Sequence, residues 1–452
     1  MNNCRVVIVG GGISGLATAY FLSRKASADN VPLQITVLEA SDRFGGVLRT
    51  LRGPALSMEA GADAFDGRDP VACDLCRALG LEKDLLPVAS TLGQAYISVD
   101  KKLQPFDLSF QNPGIALRGP GLRLASRLRL LCEGLVPSQK DRTDESIAFF
   151  IERRFGHGVL NEWGRPLVRG LLMGEPEKLS LHEYFPHLQK MEREYGSITR
   201  AVLNRKKKIS DGIFFTVRGG LDRWVSALLK DLGSVDLKSH AEAAVLKKNK
   251  TWEISFRDGS TLAADSVCLA LPAPGAARLL AEAAPQLAGE LAKIRYDPLT
   301  VVNMIFGREA LPGNFPCSGF IVPAREKKWP FASLKVIGET EDGKGIRLRA
   351  FLSGIFQPEV CGREDARIEK EVLRCLAGEW GVQALPSRIS VERYPEGLAQ
   401  YETGHGERVA GIEKQLGDLP GLFLAGNGYH GFGITDCIRS AREASDRISR
   451  GL

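Results

Sequence analysis

Apolar residues near the start of the chain form a short run, which is followed by glycines and then by apolar residues at helical spacing. The stretch "VVIVGGGISGLATAYFL" covers residues 6–22, and its first four residues predict a buried strand. The residues that recur at helical spacing after the glycines are Ile13, Leu16, Ala17, Tyr20 and Phe21. A second apolar run, "LQITVLEA", predicts another strand, which ends near Glu39. The chain therefore opens as strand, glycine turn, helix and strand, the start of a doubly wound α/β domain.

The last part of the chain repeats the order of strand, glycine-rich loop and helix. Residues 422–447 read "LFLAGNGYHGFGITDCIRSAREASDR", where the first four residues predict a strand. The following helix turns Ile438, Ala441 and Ile448 inward. Too little chain remains for another strand with its own acidic residue, so we interpret this segment as a strand and helix that close the first domain.

The middle of the chain contributes a further piece of the same domain. "VRGGLDRWVSALLKDLG" places Gly219 and Gly220 before an amphipathic helix. "AEAAVLKKNKTWEISFRDGSTLAADSVCLALP" predicts three strands with a turn at Asp258 and Gly259. A strand that returns to the first domain here would bring the backbone at Val245 to an adenine ring.

Residues 107–208 predict a helical region with one segment that allows two interpretations. In "GLRLASRLRLLCEGL", leucines fall on one side of a helix and Arg123, Arg127 and Arg129 on the other. We favour a solvated basic face over an apolar core, and a helix that lies on a membrane surface is the alternative. The basic run at 205–208 is interpreted as a solvated loop, with anion binding as the alternative.

Composition and charge exclude several functions. The 452 residues include 60 basic and 54 acidic side chains, which gives a net charge of +6. This excess is compatible with an acidic small molecule or an anionic membrane face, and it is too weak to indicate nucleic acid. No apolar run reaches transmembrane length. The six histidines show no clustered spacing, and the hydrolase motifs H-E-x-x-H and G-x-S-x-G are absent.

Nine scattered cysteines, in a chain that leads directly into a core strand, favour a cytoplasmic protein with reduced thiols. Cys73 and Cys76 form one C-x-x-C pair, whose spacing also fits one face of a helix that starts at Asp69 and Pro70. We interpret the pair as structural, with metal binding or redox chemistry as the alternative.

The opening glycines predict a site for a dinucleotide. Gly10, Gly12 and Gly15 match G-x-G-x-x-G between a strand and a helix. The first glycine permits a tight turn, the second lets a pyrophosphate approach the backbone, and the third lets helix and strand pack closely. Backbone amides at the helix N-terminus supply the anion site. Glu39 can accept from the ribose hydroxyls and disfavours a 2′-phosphate, hence NADP.

Residues beyond Glu39 favour FAD over NAD. Arg43 can pair with a phosphate, the pair Gly45 and Gly46 lets a long cofactor pass close to the backbone, and "MEAGADAF" adds a bend at Gly61. Near the other end of the chain, Gly433 would face the ribityl chain and the flavin ring. Because one nucleotide fold leaves no separate module for NAD(P)H, electrons enter from the organic substrate, which favours an oxidase or dehydrogenase over a reductase.

The predicted fold is α/β, with a discontinuous Rossmann-like FAD-binding domain, a mixed-sheet substrate domain and a helical domain for which membrane contact is left open. Residues 284–408 alternate strands and loops, which predicts the substrate-facing sheet. The predicted boundaries are 1–88, 209–283 and 409–452 for the FAD-binding domain, 89–106 and 284–408 for the substrate domain, and 107–208 for the helical domain.

Several stretches together resemble one family, the oxygen-dependent protoporphyrinogen and coproporphyrinogen oxidases within the FAD-containing amine-oxidase-like superfamily. The stretches are "VVIVGGGISGLATAYFL", "LEASDRFGG", "EAGADAF", "VRGLLMGEPEKLSLHEYFPHLQKMEREYGSI", "VRGGLDRW" and "LAGNGYHGFGITDCIRSA". They run from the N-terminus to the last helix. The nucleotide motifs are common to the superfamily, whereas "GEPEKLS…FPHL…MEREYGSI" is far more specific to the porphyrinogen branch.

This resemblance implies a set of cofactor contacts and a substrate-facing segment. The implied FAD contacts are Gly10, Gly12, Ile13, Ser14, Gly15, Glu39, Ala40, Arg43, Gly45, Gly46, Gly61, Ala62, Asp63, Val245, Gly426, Phe432, Gly433 and Ile434. Gly170 and Leu171, with Met173 nearby, would lie against the macrocycle. Some protoporphyrinogen oxidases carry an arginine just before the "YISV" strand, where this chain has Ala95. The sequence "GQAY" is more similar to the coproporphyrinogen branch, and the preferred substrate is left open.

The resemblance also implies the reaction and its partners. A hydride passes from a meso carbon of a porphyrinogen to flavin N5, and O2 reoxidises the flavin with release of H2O2. Such chemistry needs positioning over the flavin and neither a metal nor a nucleophile. Transfer of the product to ferrochelatase and peripheral contact with the inner face of the cell membrane are further expectations. An amine oxidase or carotenoid desaturase of the same fold, and a non-catalytic FAD-binding protein, are the alternatives.

Overall fold

The computed structural model of the chain describes residues 4–53, 56–88, 94–107, 119–139, 144–204, 214–323, 329–340 and 343–451. The basic run at 205–208 lies outside the described residues. In chain order the strands are β1 (Cys4–Val9), β2 (Leu33–Leu38), β3 (Thr50–Gly53), β4 (Leu56–Glu59), β5 (Phe65–Asp66), β6 (Leu85–Val88), β7 (Gln94–Val99), β8 (Lys102–Asp107), β9 (Phe214–Val217), β10 (Asp236–Lys238), β11 (Ala243–Lys248), β12 (Trp252–Phe256), β13 (Thr261–Ala264), β14 (Ser266–Leu269), β15 (Arg295–Gly307), β16 (Gly319–Pro323), β17 (Ser333–Glu339), β18 (Gly345–Ser353), β19 (Arg388–Gln400) and β20 (Leu422–Leu424).

The helices are α1 (Ile13–Ala28), α2 (Pro70–Ala78), α3 (Leu124–Leu131), α4 (Ile147–Phe155), α5 (His157–Val159), α6 (Arg165–Leu172), α7 (Leu181–Tyr184), α8 (Pro186–Tyr195), α9 (Ile198–Asn204), α10 (Asp222–Asp231), α11 (Ala273–Leu280), α12 (Pro285–Ala292), α13 (Pro358–Cys361), α14 (Asp365–Trp380), α15 (His405–Gly417) and α16 (Ile434–Arg450). A π-helical turn, Leu160–Gly164, joins α5 to α6. Short 3₁₀ turns lie at Glu82–Asp84, Glu133–Leu135 and Arg308–Ala310.

A five-stranded parallel sheet forms the centre of the nucleotide-binding part, in the order β10-β2-β1-β14-β20. Its strands come from the start, the middle and the end of the chain, so the predicted α/β fold with a discontinuous Rossmann-like sheet is confirmed. Alternate residues of β1 face opposite sides, with Val6 and Ile8 in one apolar core and Val7 and Val9 in the other. The exact domain boundaries stay a prediction.

Helices cover both faces of this sheet, as its two cores require. One core takes in residues of α1, α2, α10 and α16. Cys73 and Cys76 are buried in it on α2, which Asp69 caps through the Val71 amide. The opposite core takes in residues of α11, α12 and α15. The predicted helix starts near Asp69 and near Gly220 agree with α2 and α10.

The prediction of three strands after residue 241 is wrong by one strand. Strands β11, β12 and β13 form an antiparallel sheet, and β14 then pairs in parallel with β1. The chain changes sheet at Asp265, whose carboxylate accepts from the Arg5 amide at 2.8 Å and from the Arg5 guanidinium. In the sequence, Asp265 and Ser266 interrupt the apolar residues at this junction and were the available sign of a break between two strands.

A seven-stranded mixed sheet forms the second layer of the molecule, in the order β19-β15-β18-β17-β16-β7-β8. Its β7 and β8 come from the segment that was expected to add strands to the substrate domain. On one face, apolar residues of β15–β18 pack against α14 through Ile368, Val372 and Leu376. The expectation that residues 284–408 contain only strands and loops is therefore wrong, because the 16-residue α14 is needed to cover this face.

Helix α3 is oriented the opposite way to the favoured prediction. Only Leu130 of its four leucines packs against a core, whereas Leu124 is 73%, Leu128 57% and Leu131 50% exposed. The buried residue is Ser126, and a Cβ added to Gly158 would lie 2.2 Å from the Ser126 hydroxyl, so the approach is too close for a leucine. Arg129 donates to the Arg153 carbonyl at 3.0 Å instead of facing only solvent. None of the described helices is long and apolar enough to cross a membrane.

Candidate active site

The first glycine loop has an open position at its centre. Gly10 has φ +109°, a conformation that suits glycine, and a Cβ on Gly15 would lie 1.8 Å from the Gly10 carbonyl oxygen. A Cβ on Gly12 would meet only the Gly46 Cα, at 3.9 Å. Gly12 is the N-cap of α1 and Ile13 its first residue. The space at Gly12, together with the amides of this helix N-terminus, can hold a pyrophosphate.

Glu39 is held in place at the end of β2 by its own surroundings. Its Oε2 accepts from the Gly11 amide at 2.9 Å, and its Oε1 accepts from the amide and hydroxyl of Ser41 at 2.8 and 2.7 Å. A carboxylate oxygen can accept more than one hydrogen bond, so the group keeps the capacity to bind ribose hydroxyls. Ala40 lies beside it in the turn. The arrangement fits the ribose of an adenine dinucleotide.

The pair Gly45 and Gly46 lies directly beside the glycine loop. The Gly45 amide donates to the Gly11 carbonyl at 2.8 Å, and both glycines have positive φ. The Arg43 guanidinium folds back to donate to the carbonyls of Gly46, Phe44 and Leu48. In the structure Arg43 therefore supports this loop, and its predicted contact with a phosphate stays a prediction.

The bend at 61–63 lies against the segment that follows the glycine pair. A Cβ on Gly61 would lie 2.7 Å from the Val47 carbonyl oxygen and 3.1 Å from the Tyr394 hydroxyl. The preceding Ala60 amide donates to the Arg49 carbonyl at 2.8 Å. Ala62 and Asp63 follow in an irregular stretch before β5. Close packing thus explains the need for glycine at 61 and fixes the course of the bend.

The C-terminal loop meets the same region from the other side. Gly433 is the N-cap of α16 and its amide donates to Asp436 at 3.0 Å, while Ile434 begins the helix. Thr435 donates from its hydroxyl to the Asp66 carbonyl at 2.6 Å, just beyond the bend. A Cβ on Gly426 would lie 4.0 Å from the Ser14 hydroxyl, so the two glycine loops are neighbours.

Two further predicted cofactor contacts lie at the edges of this region. Phe432 is 39% exposed, and its ring centroid lies 5.5 Å from that of Tyr184. Val245 is half-buried in β11, beside a β-bulge. The segment before it follows Glu39, since the Ala241 amide donates to the Glu39 carbonyl at 2.8 Å. The chain therefore passes Glu39 at Ala241 before it enters β11, and the contact of Val245 with an adenine stays a prediction.

A group of charged and polar residues at the bend was missed by the sequence analysis. Lys335 donates to both oxygens of Asp63, at 2.9 and 2.8 Å. Arg349 donates to the carbonyls of Glu59 and Gly61, to the latter at 2.6 Å, and to Asn303 at 2.7 Å. Burial alone would raise the pKa of Asp63, but Lys335 and Arg349 lower it to about 2. The only available signal was basic residues inside the apolar runs "SLKVIG" and "RLRAFL".

The predicted substrate-facing segment packs against the seven-stranded sheet. The Ser333 hydroxyl donates to the Gly170 carbonyl at 2.6 Å, and a Cβ on Gly170 would lie 2.4 Å from Val322. Met173 is buried with φ +52°, whereas Leu171 is half-buried. Gly170 therefore fixes the end of α6 on the sheet. Of the three candidates, Leu171 keeps the most accessible side chain for a ligand.

The described residues hold no group of three or more His, Cys, Asp or Glu side chains that could bind a metal ion. The site instead combines an open anion-binding loop, a ribose-binding carboxylate and two further loops that meet at one place. These features suit an extended dinucleotide. They provide binding and orientation, while a bound cofactor would supply the electron chemistry.

Comparisons with known proteins agree with this geometry. Residues 13–449 match the family described as flavin containing amine oxidoreductase. The coproporphyrinogen III oxidase of Bacillus subtilis is 28% identical over 98% of both chains, and the protoporphyrinogen oxidase of Homo sapiens is 29% identical over 97% of both. A solved structure from Exiguobacterium, provisionally assigned as a protoporphyrinogen oxidase, aligns over the whole of both chains with a TM-score of 0.87 and 25% identity. A cyclohexylamine oxidase from Brevibacterium oxydans has a TM-score of 0.72 and 16% identity over 99% of both chains, which shows a common fold.

Proposed function

Because the chain belongs to the flavin-containing amine oxidoreductase family, we propose that it is an FAD-dependent porphyrinogen oxidase, which oxidises coproporphyrinogen III, protoporphyrinogen IX or both. The observation that carries the proposal is similarity over nearly the full length to curated enzymes of both names. The amine oxidase alternative has weaker support, since the cyclohexylamine oxidase is similar at only 16% identity. Family membership also confirms the prediction of a flavin cofactor.

The residues of the site would divide the work of binding as follows. Gly12 and the start of α1 would hold the pyrophosphate, Glu39 the ribose, and the bend at 61–63 with Gly433 the flavin end. FAD held by these residues would supply the electron chemistry, which is removal of a hydride from the substrate and reduction of O2. The chain itself orients the two molecules, because the end of α6 and the seven-stranded sheet hold Leu171 on the substrate side. Catalysis by this arrangement depends on positioning.

The test is an aerobic assay of the FAD-loaded protein with coproporphyrinogen III and protoporphyrinogen IX side by side. Porphyrin fluorescence reports product, an oxygen electrode reports the acceptor, and a peroxidase-coupled dye reports H2O2. We expect fluorescence to rise with at least one substrate, together with oxygen uptake and peroxide. Inactivity toward both, or flavin bleaching by simple amines under nitrogen, would contradict the proposal.

We further propose that α3 attaches the protein to the surface of a membrane. Four leucines in and beside this helix are exposed: Leu124, Leu128, Leu131 and Leu135, by 73, 57, 50 and 80%. Side chains of this kind gain free energy when they enter the boundary between lipid headgroups and acyl chains. A porphyrin product, which has a large apolar ring and acidic side chains, would then leave close to a lipid surface, from which ferrochelatase could receive it.

Vesicle sedimentation tests this attachment. We expect the protein to sediment with vesicles of phosphatidylcholine and phosphatidylglycerol, and the variant Leu128→Asp/Leu131→Asp to remain in the supernatant. Leu385→Asp is the matched control, since Leu385 is 80% exposed but lies just before β19, away from α3. Failure of the unmodified protein to sediment, or equal loss with the control, would refute the attachment.

A further inference from the structure

The polar residues at the bend form one row across the seven-stranded sheet. Asn303 on β15 pairs in register with Arg349 on β18, and Arg349 pairs with Lys335 on β17. Their sequence neighbours Met304, Leu334 and Leu348 belong to the apolar core under α14. Because side chains alternate along a strand, the three polar residues point to the opposite face. We call Asn303, Arg349 and Lys335 the polar row.

The polar row contacts a short segment of the nucleotide-binding part, residues 59–63, which includes the bend. Arg349 donates to the Glu59 and Gly61 carbonyls, Asn303 donates to the Ala60 carbonyl at 3.3 Å, and Lys335 binds the Asp63 carboxylate. Three successive carbonyls and one carboxylate are therefore held from one side. Lysine could not replace Arg349 here, because the planar guanidinium of Arg donates to two carbonyls at once.

The bend lies where the proposed flavin contacts converge. On one side it touches the segment after Gly46 through the Ala60 amide, and on the other Thr435 at the start of α16 donates to the Asp66 carbonyl. Ser333, two residues before Lys335 on the same strand, donates to the Gly170 carbonyl on the substrate side. Lys335 therefore lies between the segment proposed for flavin and the segment proposed for substrate.

The charges of this group do not cancel. Lys335 is 9% exposed and Arg349 1% exposed, and together they face one carboxylate, Asp63, with the Arg349–Asp63 contact at 3.6 Å. The low pKa of Asp63 keeps that carboxylate ionised. Another carboxyl beside the bend, that of Glu59, has its pKa raised to about 7 by burial. While Glu59 keeps its proton, one positive charge in excess is thus buried under the bend, where water screens it weakly.

We propose that Lys335, Arg349 and Asp63 set the reduction potential of the bound flavin through this excess positive charge. The inference rests on the proposed placement of FAD at the bend. Two-electron reduction of a flavin at neutral pH yields an anionic ring, so a nearby buried positive charge favours the reduced form. Lys335 and Asp63 act on the flavin through their charge and take no part in a covalent step.

The experiment compares the flavin potential at pH 8 in four proteins that all carry Glu59→Gln, because the Glu59 carboxyl, with a pKa of about 7, would otherwise be ionised at this pH. The four are this parent chain, Lys335→Met, Asp63→Asn and Asp63→Asn/Lys335→Met. The potential is read spectroscopically against a reference dye during slow anaerobic reduction, without porphyrinogen. At a fixed solution potential, we expect Lys335→Met to lower the ratio of reduced to oxidised flavin on the order of tenfold. This is the effect of a unit charge within about 10 Å at a dielectric constant of about 20. Asp63→Asn raises the ratio by a similar factor, and the double variant, which restores the net charge, returns to the value of the parent chain.

Lys293→Met is the matched control, because Lys293 is exposed and pairs with Glu290 on the surface. The proposal would be overturned if the reduction potential shifted in the same direction in both single variants, or did not shift. A purely structural role of these residues would not produce shifts of opposite sign. If Lys335→Met does not fold, Asp63→Asn and the double variant still decide. The measurement is independent of substrate: opposite shifts in a protein inactive toward porphyrinogens would refute the proposed function alone, whereas failure to take up FAD would refute both.

Discussion

At the residue scale, two glycines of the same motif have different tasks in the structure. Gly15 has no room for a side chain, since an added Cβ would meet the Gly10 carbonyl oxygen at 1.8 Å. Gly12 has room, since the nearest atom to an added Cβ is 3.9 Å away. The packing of α1 on β1 therefore requires glycine at position 15. At position 12, glycine is required by the ligand and not by the packing of the chain.

Alanine substitutions separate these two tasks. Gly15→Ala should lower the free energy of unfolding of the FAD-free protein by about 1–3 kcal/mol, the usual cost of forcing extra atoms into a packed site. Gly12→Ala should leave that stability nearly unchanged and weaken FAD binding by about tenfold or more, about 1.4 kcal/mol. Urea unfolding and FAD titration measure the two quantities. Equal effects of both variants on stability would contradict the assignment.

Glu59 predicts a pH dependence whose sign follows from its burial. Desolvation raises its pKa from 4.5 to about 7 although the Leu221 amide and the Thr50 hydroxyl donate to it. The unfolded chain loses this proton near pH 4.5 and the folded chain only near pH 7, so stability falls as the pH rises between these values. The contribution is present below pH 4.5 and reaches about 3 kcal/mol at most.

The variant Glu59→Gln should remove this dependence. Urea unfolding at pH 5 and pH 8 should show the variant gaining stability relative to the unmodified protein as the pH rises, by about 2 kcal/mol. Comparison of the two proteins is necessary, because His405, whose pKa burial lowers to about 4, changes stability in the opposite direction below pH 6.5. A constant difference between the two proteins would show that Glu59 is ionised throughout.

At the element scale, sequence patterns predicted the parts that depend on local order. The β1–α1 unit and α16 follow from apolar spacing and glycines within about 30 residues. The pattern could not orient α3, because its exposed leucines and the buried Ser126 are decided by close approach to Gly158 in another helix. It could not find the contact of Lys335 with Asp63 either, since 272 residues separate the partners. Tertiary contacts of this kind leave almost no local signal.

Helix α9 depends on a carboxylate from another element. Glu133, in a 3₁₀ turn, accepts from the amides of Ile198 and Thr199 at 3.1 and 3.0 Å and also binds the fully buried Arg154. These hydrogen bonds lower the pKa of Glu133 despite its burial. The carboxylate thus stabilises the positive end of a helix and a buried guanidinium together.

The variant Glu133→Gln should lower the free energy of unfolding by about 3–5 kcal/mol, because Arg154 keeps a buried charge without its partner. Urea unfolding measures this, with Glu309→Gln as a control on an exposed glutamate. Circular dichroism should show an early loss of helix in the variant. Stability equal to that of the control variant would mean that Glu192, which also contacts Arg154, is sufficient.

At the scale of the whole molecule, the proposed cofactor site joins distant parts of the chain. Its contacts come from the start of the chain, from the segment near Val245 and from the loop before α16. A ligand that binds only the folded protein adds RT ln(1 + [L]/Kd) to its stability, about 2.7 kcal/mol at 100 times Kd. FAD should therefore raise the thermal unfolding temperature and slow proteolysis of the nucleotide-binding part.

Differential scanning fluorimetry and limited trypsin digestion check this expectation in the presence and absence of FAD. NAD at equal concentration is the control, because the site beyond Glu39 suits the longer cofactor. Equal stabilisation by NAD would contradict the extended site. Protection confined to the first 88 residues would contradict the contribution of the other two segments.

The order β10-β2-β1-β14-β20 also determines when this protein can become functional during its synthesis. The outer strand β20 begins at residue 422, whereas its partner β14 ends at residue 269, so a ribosome must translate the long segment between them before the sheet can close. At about 5–20 residues per second, the nascent chain spends about 8–30 seconds with an unpaired edge of β14. The nascent chain would therefore depend on chaperones during that interval. It would bind its yellow cofactor only after its release from the ribosome.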